Sequence, residues 1–321
     1  MLVLSVKCQS WRAGNVVLSL GRFLRDLKSI LGPSALKRVV RKMLDDDCPG
    51  LAGQMAYFTL LSLFPLLMSL VAVAGLVMDD PESALRTLTE SMQGVLPQEG
   101  MGLLVDYIDR TLRSATSGVL LFGILATLWS GSTTSYALIN AANRAYELRE
   151  TRPLWKVWGV SLLMVFCLAL LIGALALVIF STETGGYIQR LTGLPDFFLT
   201  LWAIMRWVVA FAAVTLVHSI LYYMAPSADV PFKWITPGSL TATVLILLSS
   251  VALSFYVANF GRYDQLYGPI GAVIVLMLWL YVGSFMIILG VEMNAVLARM
   301  AEERKDTKII QSDSRADKPN P

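Results

Sequence analysis

Leu162-Leu-Met-Val-Phe-Cys-Leu-Ala-Leu-Leu-Ile-Gly-Ala-Leu-Ala-Leu-Val-Ile-Phe180 carries no charged side chain and no side-chain amide. As a helix, this stretch would be roughly 28 Å long, close to the ~30 Å of hydrocarbon in a bilayer. Its apolar residues occupy every face, whereas a soluble amphipathic helix keeps them to one stripe. The stretch therefore reads as a transmembrane helix, and it lies within a longer apolar run over 156–181.

Five more such runs lie on either side, at 51–78, 118–142, 198–224, 237–259 and 269–298. Leu60–Leu63 followed by Pro65–Gly75 is likewise apolar on every face, interrupted only by Ser62 and Ser69. The chain is 56% hydrophobic and 15% charged, well below the ~25% charged residues usual in soluble domains. The loops are too short to hold a second domain. The expected fold is all-α: a polytopic bundle of six transmembrane helices over 46–300, with a basic tail at 1–45 and a charged, disordered tail at 301–321.

Charge sets the expected orientation, because short loops rich in lysine and arginine stay in the cytoplasm. Residues 1–50 hold nine basic side chains, 143–156 hold four, and the chain after 298 holds six. Segment 79–117 has three, namely Arg86, Arg110 and Arg113, against seven acids. Counted alternately, the two sides hold twenty and five. Both termini are expected in the cytoplasm. Within 1–45, Phe23, Leu24, Leu27 and Ile30–Leu31 interrupt the basic residues, which suits either an amphipathic helix on an anionic leaflet or a solvated tail. On the other side, Leu85, Leu88, Met92 and Val95 make one helical stripe, and Leu103, Leu104, Tyr107, Ile108 and Leu112 make a second. Two short extracytoplasmic amphipathic helices are expected there. Cys8, Cys48 and Cys167 suggest neither a disulfide nor a metal site.

Polar groups within hydrocarbon are costly, so each is a candidate site. Arg206 falls roughly 12 Å below the outer boundary and Glu292 roughly 10 Å inside the inner one. His218, the only histidine, lies at a similar inner depth, so Glu292 is expected near His218 and not near Arg206. Gln54, Asn140, Asn143 and Asn294 fall at or near the same inner level, and Ser130–Ser135 adds a hydroxyl-rich stretch to the second span. These residues fit polar contacts between helices or the lining of an inward-opening cavity. Arg206, flanked by Trp202 and Trp207, also fits an interfacial anchor. Phe64-Pro65 and the Pro237 and Pro269 starts mark places where helices could break or begin.

Several motifs together resemble the YihY/BrkB family of bacterial membrane proteins. They are Leu51-Ala-Gly-Gln-Met-Ala-Tyr-Phe-Thr-Leu-Leu-Ser-Leu-Phe-Pro-Leu66, Asn140-Ala-Ala-Asn-Arg-Ala-Tyr146, Thr236-Pro-Gly238, Tyr267-Gly-Pro-Ile-Gly-Ala272, Leu278-Trp-Leu-Tyr281 and Gly290-Val-Glu-Met-Asn-Ala295. The resemblance covers about 45–300. It implies a six-span inner-membrane protein with both tails in the cytoplasm. It also brings two proposed roles, serum resistance and the movement of lipids or other solutes.

Members of that family were once labelled a transfer-RNA-processing ribonuclease. Metal-dependent hydrolysis needs several histidine and carboxylate ligands on a rigid, hydrated scaffold, and one histidine cannot supply them. A phosphate-binding Gly-x-x-x-x-Gly-Lys-Ser/Thr loop is absent too. The expectation is a non-enzymatic protein with no cofactor and no nucleic-acid partner. Its partners would be membrane lipids and a lipid or amphipathic solute carried across the membrane, and the alternative is a scaffold for envelope proteins.

Overall fold

The structure, a computed structural model, describes residues 28–29, 32–77, 110, 116–171, 196–228, 230, 232–260 and 269–316. Cys8 and almost all of the two expected outer helices lie outside them.

Seven helices order the described chain: α1 Pro33–Asp45, α2 Cys48–Val77 and α3 Ser117–Ala145, α4 Leu154–Leu171, then α5 Asp196–Met224, α6 Pro237–Phe260 and α7 Pro269–Ala316. From α2 to α7 each is long and apolar enough to cross a membrane, six among the described residues. The starts of α2, α4 and α6 and the ends of α3, α5 and α7 gather at one end of the bundle. That end carries α1 and the loops at 146–153 and 225–236, and is called the charged end below.

Local sequence explains the boundaries. Asp47 takes a left-handed backbone, φ 55°, which closes α1, and its carboxylate then accepts from Gly50 N at 3.3 Å to start α2. Aspartate tolerates this conformation better than most residues. Thr116 Oγ1 caps α3 by accepting from Val119 N at 3.3 Å. Thr236 and Ser239 cap α6 reciprocally, each hydroxyl accepting from the other's backbone N at 3.0 Å, with Pro237 at the first helical position. Pro65 does not break α2, which runs through it as one helix.

The sixth span was expected to end at 298, with a disordered tail from 301. Instead α7 continues to Ala316. Residues 291–318 contain neither glycine nor proline, and Ala, Glu, Arg and Lys are good helix formers. Falling hydropathy marked where the membrane stops, not where the helix stops. The basic segment before 46 is helical over α1, which buries Ala35, Val39 and Met43 at i, i+4 and i+8. That face packs on α7 and α2, and Arg38 Nη1 meets Glu303 Oε2 at 2.9 Å.

α7 is the axis of the bundle, packing on α6, α2, α3 and α1, while α5 packs on α6. Small residues set the close crossings. A Cβ on Gly238 would strike Gly290 O, and one on Gly290 would lie 2.7 Å from Gly238 O. α2 and α3 meet at Gly123, where a Cβ would come within 2.6 Å of Ser69 Oγ. Close backbone approach at small residues is how helices associate in lipid, where burying apolar surface gains little. The opposite surfaces carry Leu121, Phe122, Leu125, Phe166, Leu170, Trp207, Leu248, Val251 and Phe255, all exposed. A surface this apolar needs acyl chains around it.

Candidate functional site

A cavity of about 520 Å³ opens at the charged end, between the end of α5, the start of α6, the α3–α4 loop and the extension of α7. Tyr222, Tyr223, Thr236, Asn294 and Ala298 form its wall, and Glu147, Lys233, Arg299 and Glu302 bring two cations and two carboxylates to it. Its size lies within the range usual for small-molecule sites.

Glu147 organises the charged groups. It follows α3 in a left-handed backbone, φ 55°, an uncommon conformation for a residue with a long side chain. Its Oε1 accepts from Arg299 Nη1 at 2.7 Å and from Lys42 Nζ at 2.9 Å. One carboxylate thus joins α1, the end of α3 and α7. Hydrogen bonds from Lys42 and then Arg299 hold its carboxyl below the usual range. Arg299 also donates to Ala145 O at 3.0 Å, satisfying an end carbonyl of α3.

A second knot fixes the α3–α4 loop against α5. Arg152 makes a two-pronged contact with Glu150, both bonds 2.8 Å, and donates to Met224 O and Ala225 O at 3.2 and 2.9 Å. This bidentate geometry pushes the Glu150 carboxyl down to about 2. Asn143 completes the knot, donating to Glu150 Oε2 and accepting from Ser227 N, both at 2.8 Å.

The residues singled out by sequence divide among several places. Asn294 lines the cavity and also fixes the start of α6, accepting from Gly238 N at 2.9 Å and donating to Thr236 Oγ1 at 3.0 Å. Asn143 belongs to the loop knot. His218 is buried between α5 and α6, its Nδ1 3.0 Å from Thr243 Oγ1. That hydroxyl donates to Ser239 O at 2.9 Å, and Ser219 donates to Ser239 Oγ at 2.8 Å. Glu292 is wholly buried and faces the other way, toward α2, where Cys48 Sγ lies 3.5 Å from its Oε1. Among the described residues no hydrogen bond joins Glu292 to His218, so the expected neighbours at similar depth sit in separate clusters.

Gln54 is exposed, Asn140 half-buried, and neither has a hydrogen-bond partner among the described residues. Arg206 lies half-buried with its guanidinium 5.9 Å from the Trp207 ring centroid, a cation–π distance. Most of Ser130–Ser135 bonds its own helix, as Ser130 does to Ala126 O at 2.7 Å and Ser132 to Leu128 O at 2.6 Å.

Sequence reading missed Glu147, Lys233 and the two tyrosines. Tyr222 donates to Ile287 O at 2.8 Å, joining α5 to α7. The signal for Glu147 was weak but present: with Glu150 it is one of two acids in a stretch that also holds Arg144, Arg149, Arg152 and Lys156.

The fold and the site define a six-span α-helical membrane protein with a polar cavity at one end. The chain belongs to the virulence factor BrkB family, which it matches over residues 39–312. It is 34% identical over 269 residues to the putative ribonuclease-like protein YfkH of Bacillus subtilis, covering 82% of this chain and 95% of the relative. A UPF0761 membrane protein of Alteromonas mediterranea is 24% identical, covering 88% of this chain and 91% of the relative. Another, from Alkalilimnicola ehrlichii, is 26% identical over 83% of this chain, which spans 58% of that longer protein. No solved structure matches.

Proposed function

We propose that the protein resides in the bacterial inner membrane, with the charged end in the cytoplasm, and moves a lipid or amphipathic solute across the membrane. The cavity is the observation that carries this reading. It combines an apolar and aromatic wall with Lys233, Arg299, Glu147 and Glu302 at one end of the spans, the mixture an amphiphile with a charged head requires. The loop beside it supports entry from the bilayer. Phe232 packs edge-on against Tyr223 and Trp234, at 5.2 and 5.3 Å, and Trp234 is half exposed, like an interfacial anchor.

Leaflet-resolved lipid analysis of deletion and complemented strains tests the reading. One lipid class should redistribute on deletion and return on complementation, but not when the complementing copy carries Lys233→Glu. An unchanged distribution in the deletion strain would overturn it.

α1 favours a second reading. Its outer stripe, Leu36, Val40 and Leu44, is exposed beside Lys37 and Arg41, which suits a scaffold that gathers envelope proteins. Deleting 1–45 should abolish a scaffold's function and leave a carrier with part of its own. A ribonuclease reading rests on the name of the Bacillus relative. The chain gives it little support, with one histidine and, among the described residues, no group of three or more His, Cys, Asp or Glu able to hold a metal.

A further inference from the structure

The strongest feature outside the cavity is Glu292. It is 0% exposed, and its Oε2 has no hydrogen-bond partner among the described residues. Among the described residues its other oxygen has the Cys48 thiol as its hydrogen-bond partner, at 3.5 Å, a weak donor. Three elements face it. From the end of α1 come Lys42 and Asp46, from the start of α2 Cys48, and from just beyond α3 Tyr146. Lys42 is already engaged, by Asp46 at 3.2 Å and Glu147 at 2.9 Å. Among the described residues no unengaged cation faces Glu292, Lys42 attracts it only at longer range, and Asp46 adds a like charge.

An ionised carboxylate held this way loses its hydration without a compensating partner, the costly arrangement for a buried charge. A carboxylic acid in the same place is tolerated. We propose that Glu292 is a proton-binding site, separate from the cavity, whose proton latches α1 and the start of α2 onto α7. When the O–H bond breaks and the proton leaves to water, the buried anion faces Asp46 across the junction. Hydration of that anion then requires the α1–α2 turn to part from α7. The latch reaches the cavity through one side chain. Lys42 is on the element that moves, and its partner Glu147 also holds Arg299, a cavity residue. The inference does not depend on what the cavity binds.

Two measurements on the full-length protein in lipid nanodiscs test it. In infrared difference spectra between acid and alkaline buffer, wild type should show a protonated-carboxyl C=O band that Glu292→Gln lacks. Absence of that band from wild type, or a band that never responds to pH, would overturn the proposal. The second follows thiol labelling of Cys48, which is 1% exposed, in a chain carrying Cys8→Ala and Cys167→Ala. Glu292→Gln keeps the shape of the protonated acid, and the anion it removes disfavours a neighbouring thiolate, which would lower the wild-type to Glu292→Gln ratio of labelling rates as pH rises, so a rise in that ratio reports the latch. That ratio should rise with pH, by up to about tenfold per pH unit below the release point as for a single proton, and level off above it. A ratio flat with pH would show that no proton at Glu292 governs the junction.

Discussion

The two ends of the bundle are built differently. At the charged end, Met55, Leu138, Ile139, Ala142, Leu221, Tyr222, Ile288, Val291 and Val296 form a continuous buried cluster, crossed by hydrogen bonds between helices. Toward the other end, Phe64, Leu121, Phe122, Leu248, Val251, Phe255 and Ile270 are all exposed. Lipid explains the contrast. Acyl chains solvate leucine as well as another helix does, so helices hold together where small residues and polar groups meet. In this chain those groups are concentrated at the charged end, which should carry most of the stability and leave the opposite half in contact with lipid.

The largest test of that contrast is steric. Gly238→Val puts side-chain atoms into α7 at Gly290 and should cost about 3 kcal/mol or more, seen as loss of folded protein in thermal unfolding in detergent. Gly283→Ala enters open space and should stay within about 0.5 kcal/mol of wild type. Next is Asn294→Ala, which uncaps the start of α6 and should cost about 1–2 kcal/mol in the same assay. Tyr222→Phe removes only the bond to Ile287 O and should cost about 1 kcal/mol. Leu248→Ala, on the exposed face of α6, should change stability by less than about 0.5 kcal/mol. A loss there equal to that at Tyr222 would break the contrast.

Acid sharpens it further. Glu150 has its folded value near 2 against an ordinary 4.5, so its ion pair with Arg152 favours the folded state at full strength above about pH 4.5. That contribution declines as pH falls toward 2. The stability difference between wild type and Glu150→Gln should therefore shrink across that window.

All six spans could be read from hydropathy, because a lipid-facing helix announces itself through composition alone. Glu292 and His218 could be singled out for the same reason, since a polar group at depth is visible in one dimension. Their neighbours could not be. Depth along a helix is additive in residue number, but which face a side chain takes depends on how α7 is rotated between α2 and α6. That rotation turns Glu292 to Cys48 and Asn294 to the cavity, two residues apart in sequence. Glu147 was hidden because its role depends on Lys42 and Arg299, 105 and 152 residues away. The end of α7 was misplaced because hydropathy reports solvent and helix propensity reports backbone, and the two part company after Arg299.

A photo-crosslinking side chain placed at Ala298, in the cavity wall, and separately at Leu248, on the lipid-facing surface, tests the central claim most directly. Mass spectrometry of the captured molecules should show one amphiphile class enriched at Ala298 and the bulk membrane mixture at Leu248. The same mixture at both positions would contradict the assignment of the cavity as a binding site.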